Sequence, residues 1–200
     1  YNNTDSSLLV ATTDGSAGWS LAASDGIVRF VLPVGTSIPP RSHLLATHTS
    51  YSLGAYAVGD VTYTTGIPDA AGIALFNTAN TANFTLANRL DAVGPTAEAN
   101  TLYKEGAGHP TLSGASFLAG LEYSFYRDNC GKGGSITTFG VCPSGGAPVD
   151  TNNNAANFIF VDTTGANAGA GQRLGAPGPE SSLSPIERNS HVPWFLLDPG

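Results

Sequence analysis

The sequence predicts an all-β protein, and three observations predict it. Gly, Pro, Thr, Ser and Asn interrupt every window long enough to hold three helical turns, so no 3.6-residue apolar period is sustained. Short β-branched and aromatic runs recur between turn signals instead. Their spacing is that of a β-sandwich, and 200 residues suit one such domain.

The elements follow in chain order. Trp19 to Leu21 leads into Asp25-Gly26, and Ile27 to Leu32 follows as the hairpin partner, ended by Pro33. Asp-Gly between two apolar runs is a strong hairpin signal. Beyond Pro39-Pro40, strands are expected at His43 to Thr47, Asp60 to Thr64, Gly72 to Phe76 and Arg89 to Val93. The pattern weakens from Gly94 to Gly120, where Ala97 to Lys104 is expected as a short helix. Leu121 to Arg127 alternates again. Pro143 to Asn157 reads as loop, and the apolar run Phe158 to Val161 suits a buried central strand. Gly175 to Pro179 must be extended or turning, because each Pro restricts its predecessor. There is no convincing internal repeat. The expected organisation is a single domain over 1–200 with core strands at about 19–94 and 121–162. Residues 180–200, with the apolar stretch Val192 to Leu197, either belong to it or open a following segment.

Composition narrows the class of partner. Charged residues are 12% of the chain, about half the usual ~25%, and small neutral polar residues fill the difference. Net charge is −7, and the Arg residues are scattered without a run, whereas a phosphate backbone is bound by clustered cations. Nucleic acid is therefore not an expected partner. No apolar stretch approaches the ~18–20 residues of a membrane span. No charged and apolar leader opens the chain, which begins at Tyr1 and reads as a processed or excised piece of a longer protein.

Cys130 and Cys142 are the only cysteines, set in the Gly-rich stretch DNCGKGGSITTFGVCPSGG, which contains no His. Two Cys alone do not make a metal site. A disulfide closing that small loop is expected, contributing roughly 3 kcal/mol and placing the chain in an oxidising compartment, secreted or at the cell surface. Two sequons, Asn2-Asn3-Thr4 and Asn83-Phe84-Thr85, offer glycan acceptors at Asn2 and Asn83.

Motif order then brings a family into view. Gly18-Trp19-Ser20-Leu21, the run Ile27 to Leu32 with Pro33 and Gly35, and Ile38-Pro39-Pro40-Arg41-Ser42-His43-Leu44-Leu45 together resemble the lamin-tail domain in its bacterial secreted versions. Gly72 to Phe76 and Leu90 to Gly94 are similar to that family's later paired strands. The resemblance covers Trp19 to Gly94 well and Phe158 to Pro179 more loosely. It implies an immunoglobulin-like β-sandwich that acts by interaction and carries no common catalytic residues. The family's opening strand has no counterpart before Tyr1, which implies an open sheet edge. The cysteine loop falls outside the family's core, so it is expected to staple an insertion.

The residues themselves offer little catalytic chemistry. His43, His48, His109 and His191 are present without a G-x-S-x-G elbow, and His43 and His48 flank a strand as ordinary edge residues. The carboxylates Glu98, Glu105, Glu122, Glu180 and Glu187 are dispersed, and no two stand out as a glycosidase pair. Asp150, Asn152 and Asn154 give the D-x-N-x-N alternation of a calcium loop, without the following Gly or the closing Glu, where Val161 stands. Their default reading is a solvated Asn-rich turn. Trp19 is a core residue, and Tyr51, Tyr56 and Tyr63 are the candidates for a binding surface.

The expected function is a non-catalytic interaction or structural module, extracellular or at the cell surface, with no cofactor unless calcium binds. Its partner is another protein, or itself through edge strands. One alternative is a self-assembling filament or surface-layer subunit using an open edge. Another is a carbohydrate-binding or accessory module of a secreted hydrolase.

Overall fold

In the computed structural model, which describes residues 1–109, 123–127, 150–162, 173–174 and 179–184, the Asp25-Gly26 turn closes the expected hairpin. Asp25 Oδ1 accepts the Ile27 N–H at 3.0 Å, and the Gly26 N–H donates to Ala23 O at 2.9 Å. Gly26 sits at φ 83°, a conformation glycine adopts without steric cost. Strands β2 (Gly18–Ala23) and β3 (Val28–Pro33) leave the turn antiparallel, with Trp19 opposite Leu32 and Leu21 opposite Phe30. Ala22 then pairs with Val28, so Arg29 is the extra residue of a β-bulge. A bulge re-aims its side chain, and Arg29 reaches back along the hairpin to Asp25.

Strands β7 (Ile73–Phe76) and β8 (Arg89–Val93) extend this hairpin to a four-stranded antiparallel sheet in the order β3-β2-β7-β8. Period-two alternation sends its side chains to two faces. Ala74 and Phe76 join Ala22, Ala92 and Tyr103 in one buried cluster, while Leu75 packs against a second formed by Val10, Trp19 and Leu32. Phe76 is fully buried and stacks on Phe84 with ring centroids 4.1 Å apart and 4° between planes. Burying such a ring stabilises the fold by roughly 1.5–3 kcal/mol. The Trp19 indole, a core residue as expected, donates through Nε1 to Ala11 O at 2.7 Å.

Two short pairs complete the sheets of this part of the chain. β1 (Leu8–Leu9) runs antiparallel to β4 (Ser37–Ile38), and β5 (Ala46–His48) runs parallel to β6 (Val61–Tyr63). Leu8, Leu44 and Val61 pack onto the Trp19 cluster. The strand expected at His43 to Thr47 begins only at Ala46, because upstream the Ser42 carbonyl is taken by the Asn2 N–H at 2.9 Å and the Ser42 N–H turns back to Pro39 O. The helix expected at Ala97 to Lys104 shrinks to a 3-10 turn at Thr101–Tyr103, started by Asn100 Oδ1 accepting the Leu102 N–H at 3.0 Å.

The chain divides into two compact units, one of Tyr1–Thr111, Asn152–Ala155 and Pro177–Ser184, the other of Leu112–Thr151, Ala156–Ala176 and Pro185–Gly200. Everything above belongs to the first. In the second, β9 (Tyr123–Arg127), β10 (Phe158–Asp162) and β11 (Arg173–Leu174) form a sheet in the order β11-β10-β9. The apolar run at Phe158 is its middle strand, antiparallel to β9 and parallel to β11. Phe158 is buried, and the Arg127 guanidinium lies 4.7 Å from its ring centroid, a cation–π distance. One helical turn, α1 (Asn154–Asn157), stands where a loop was expected.

The described residues are thus mainly strands in mostly antiparallel sheets with little helix, an all-β class. Cys130, Cys142 and the insertion they were expected to staple lie outside the described residues, as do 185–200. Among the described residues no helix is long and apolar enough to cross a membrane.

Candidate functional site

The connection between β5 and β6, residues 49–60, presents two of the candidate tyrosines, Tyr51 and Tyr56, on a loop of fixed course, with Tyr63 on β6 beside it. Its entry is a turn in which the Thr49 N–H donates to Tyr63 O at 3.0 Å and the Tyr51 N–H to His48 O at 2.9 Å. The Tyr51 hydroxyl then donates to Leu53 O at 3.3 Å and Ala57 O at 3.1 Å, holding the loop's middle to its start. Ala57 is buried beneath it. Gly59 passes so close to Thr47 that a Cβ would stand 2.2 Å from Thr47 Oγ1, so this approach requires glycine.

Asp60 anchors the exit. Its Oδ2 accepts the N–H groups of Leu45 at 2.8 Å and Ser182 at 2.9 Å, and its Oδ1 accepts the Ser182 hydroxyl. Burial opposes ionisation of Asp60, yet these donors hold its carboxyl below the ordinary carboxylate range. The fixed backbone leaves Leu53 at 46%, Tyr56 at 77% and Val58 at 67% exposure. Leu183, next to the tethered Ser182, is 88% exposed. Leu53, Tyr56 and Val58 thus stand outward on one loop.

At the loop's root, His48 lies between two oxygens. Nε2 is 2.8 Å from Thr64 O, and Nδ1 is 2.6 Å from Ser50 Oγ and 3.2 Å from the Ser50 amide nitrogen. A carbonyl oxygen only accepts, so the neutral ring carries its proton on Nε2 and turns the Nδ1 lone pair toward Ser50. Tyr63 packs edge-on against the His48 ring at 5.6 Å between centroids and contacts Phe30 at 6.4 Å. Of the sequence candidates, then, Tyr56 projects outward while Tyr51 and Tyr63 are half-buried supports of the same loop.

The calcium candidates each have protein partners. Asp150 Oδ1 lies 2.8 Å from Arg127 Nη1, within the second unit. Asn152 has φ 53°. Asn154 is fully buried, with Oδ1 accepting from the Gly94 and Glu105 N–H groups and Nδ2 donating to Ala92 O. Both sequon asparagines have their Nδ2 occupied. Asn2 is 1% exposed and donates to Ser6 O, Ile38 O and Pro39 O, each at 2.9 Å. Asn83 Nδ2 donates to Asp14 Oδ2 at 2.7 Å.

The remaining polar candidates are spread over separate contacts. His43 Nε2 is 3.1 Å from Glu180 Oε2, the backbone of buried His109 pairs with Gly94 and Thr96, and Glu98 accepts the Gly72 and Asn100 N–H groups. Arg89 Nη2 lies 3.5 Å from Glu105 Oε1. Glu122, Glu187 and His191 lie outside the described residues.

Sequence reasoning missed Ser50 and Asp14. Asp14 accepts hydrogen bonds from the Ser16 and Thr78 hydroxyls and the Asn83 amide, and these donors, the Ser16 hydroxyl foremost, hold its carboxyl well below the ordinary range. The only local signal for Ser50 is the His-x-Ser spacing at a strand end, and the partner that orients the ring, Thr64, is remote in sequence. No protein-family model, no curated protein and no solved structure matches the chain. The chemistry of the site therefore rests on its own residues.

Proposed function

We propose that the chain is a secreted or cell-surface interaction module that acts by binding a protein partner through the loop of residues 49–60. The observation that carries this reading is Tyr56, 77% exposed on a loop whose course is fixed by the Tyr51 hydroxyl and the buried Ala57. Tyrosine is enriched at interface centres. A loop already held in shape loses less conformational freedom on docking. We take the domain to be an immunoglobulin-like sandwich of the lamin-tail kind, on the order of the sequence motifs between Gly18 and Gly94. The low charge and the paired spacing of Cys130 and Cys142 support an oxidising compartment and a stapled insertion.

Incorporation of a photo-crosslinking phenylalanine at position 56, followed by mass spectrometry of cell-envelope preparations, tests the binding face. One dominant adduct that disappears when Leu53 and Val58 are both changed to Ser supports it. Adducts spread evenly over abundant proteins, or none, remove it.

A second reading, self-assembly, is favoured by β3. It ends the four-stranded order, pairs only with β2 among the described residues, and has Val31 and Val34 exposed on and beside it. Such an edge is a template for another strand. Light scattering at rising concentration separates the two: a monodisperse monomer throughout excludes assembly and leaves the binding face to the crosslinking test.

A further inference from the structure

We propose that Ser50 is a nucleophilic acyl acceptor, with His48 as its base and the Thr64 carbonyl as the group that orients the imidazole. This goes beyond the binding reading and does not rest on it. Ser50 Oγ lies 2.6 Å from His48 Nδ1, within the reach a base needs, and Nε2 lies 2.8 Å from Thr64 O. Nucleophile, base and orienting acceptor are the three roles that activate a serine in general. Thr64 follows β6, and Tyr63 pairs with His48 across the β5–β6 ladder, so one strand pair sets both the ring and the acceptor that orients it. The Tyr63 ring braces the imidazole from the side.

A plainer role for His48 is to close the turn by accepting the Ser50 N–H at 3.2 Å. That explains the turn. It does not require the hydroxyl to approach the same lone pair more closely than the amide does. Ser50 itself is exposed, so an incoming acyl group can reach it.

The donor class is an activated carboxylic ester. Ser50 Oγ attacks the ester carbonyl carbon, and the new Oγ–C bond forms as the bond from that carbon to the leaving aryl oxide breaks. The hydroxyl proton passes to His48 Nδ1 and from there to the aryl oxide, which departs as the phenol. His48 is again neutral, and Ser50 carries the acyl group until water removes it by the same route.

General-base assistance of this kind is worth roughly 10²–10⁴-fold. The test uses the whole chain with p-nitrophenyl acetate and follows acetylation serine by serine by peptide mass spectrometry. Ser52, exposed on the same loop, is the internal reference. Ser50 should acylate about 10²-fold faster than Ser52. His48→Asn, which keeps a side-chain acceptor for the turn but has no base, should bring Ser50 down to the Ser52 rate while circular dichroism shows the fold intact. Equal rates at Ser50 and Ser52 in the unmodified protein overturn the proposal, and so does an undiminished Ser50 rate in a folded His48→Asn protein. If that variant unfolds, the comparison within the unmodified protein decides alone.

Discussion

Asn154 holds Gly94 at the end of β8: its Oδ1 accepts the Gly94 N–H at 3.0 Å in a fully buried setting. The same oxygen accepts the Glu105 N–H at 2.9 Å, and Nδ2 donates to Ala92 O at 2.8 Å. One side chain thus satisfies three backbone groups far from it in sequence. Asn154→Ala leaves all three without that partner, and unsatisfied buried groups cost about 1–3 kcal/mol each. A net loss of about 2–4 kcal/mol is expected, or a fall in melting temperature of about 5–15 °C. Calorimetry reads it directly. A shift under about 1 °C would mean that water or other groups replace the bracket.

Arg29 and Asp25 form a second tightly specified pair. The Arg29 side chain has no exposure, and it donates to Asp25 through Nη2–Oδ2 at 2.6 Å and Nη1–Oδ1 at 3.1 Å. Asp25 is exposed, but removing it leaves the buried Arg29 guanidinium with only the Ile27 carbonyl, at 2.6 Å, of these partners, a loss of about 1–3 kcal/mol. Asp25→Ala should therefore lower the urea midpoint strongly, and adding Arg29→Met should restore much of the loss. If the double variant is no better than the single one, the penalty does not come from the stranded cation.

Asp25 also predicts an acid response. Its hydrogen bonds from Arg29 hold its carboxyl below the ordinary range of about 3.9. Its stabilising contribution is thus present above that value and lost as pH falls through the lower folded value. The denaturant midpoint should drop below about pH 4 by more in the unmodified protein than in Asp25→Ala. Parallel acid curves for the two proteins would remove this role.

What was legible in the sequence was local. Asp25-Gly26 announces its hairpin because the turn's hydrogen bonds close within five residues, and the apolar run at Phe158 announces a middle strand because both its faces must be covered. β1 was not legible: two residues long, it exists because Ile38 and Ser37 stand opposite it. The D-x-N-x-N alternation at Asp150 was ambiguous for a physical reason. Asn side chains that could ligate a cation also bracket backbone amides, as Asn154 does. Tyr51, Tyr56 and Tyr63 could be grouped from sequence, whereas which of them projects depends on where the Tyr51 hydroxyl finds its carbonyls.

Asn2 ties the first residues to the start of the Pro39-Pro40 segment. Its Nδ2 reaches Ser6 O, Ile38 O and Pro39 O, and its Oδ1 accepts from the Thr4 hydroxyl at 2.7 Å. Asn2→Ala should cost about 1–3 kcal/mol, felt locally, since the main sheet's clusters include nothing before Leu8. Hydrogen exchange should rise over residues 2–9 and 37–42 and stay unchanged in β2 and β7. Acceleration throughout the four-stranded sheet would instead make Asn2 part of the cooperative core.

His43 gives the second pH test. The ring is half-buried beside Tyr1, with centroids 4.6 Å apart, and burial pushes its pKa down to about 4 from the ordinary value of about 6.5. The Glu180 carboxylate, 3.1 Å from Nε2, favours the cation, and the loss of water around the ring outweighs it. The unfolded chain therefore takes up this proton first as pH falls, so the folded state loses stability between about 6.5 and 4 and no more below that. His43→Gln has no such proton to take up. Urea midpoints at pH 7 and pH 5 should converge for His43→Gln and separate for the unmodified protein. An equal fall in both proteins would assign the pH dependence to other groups.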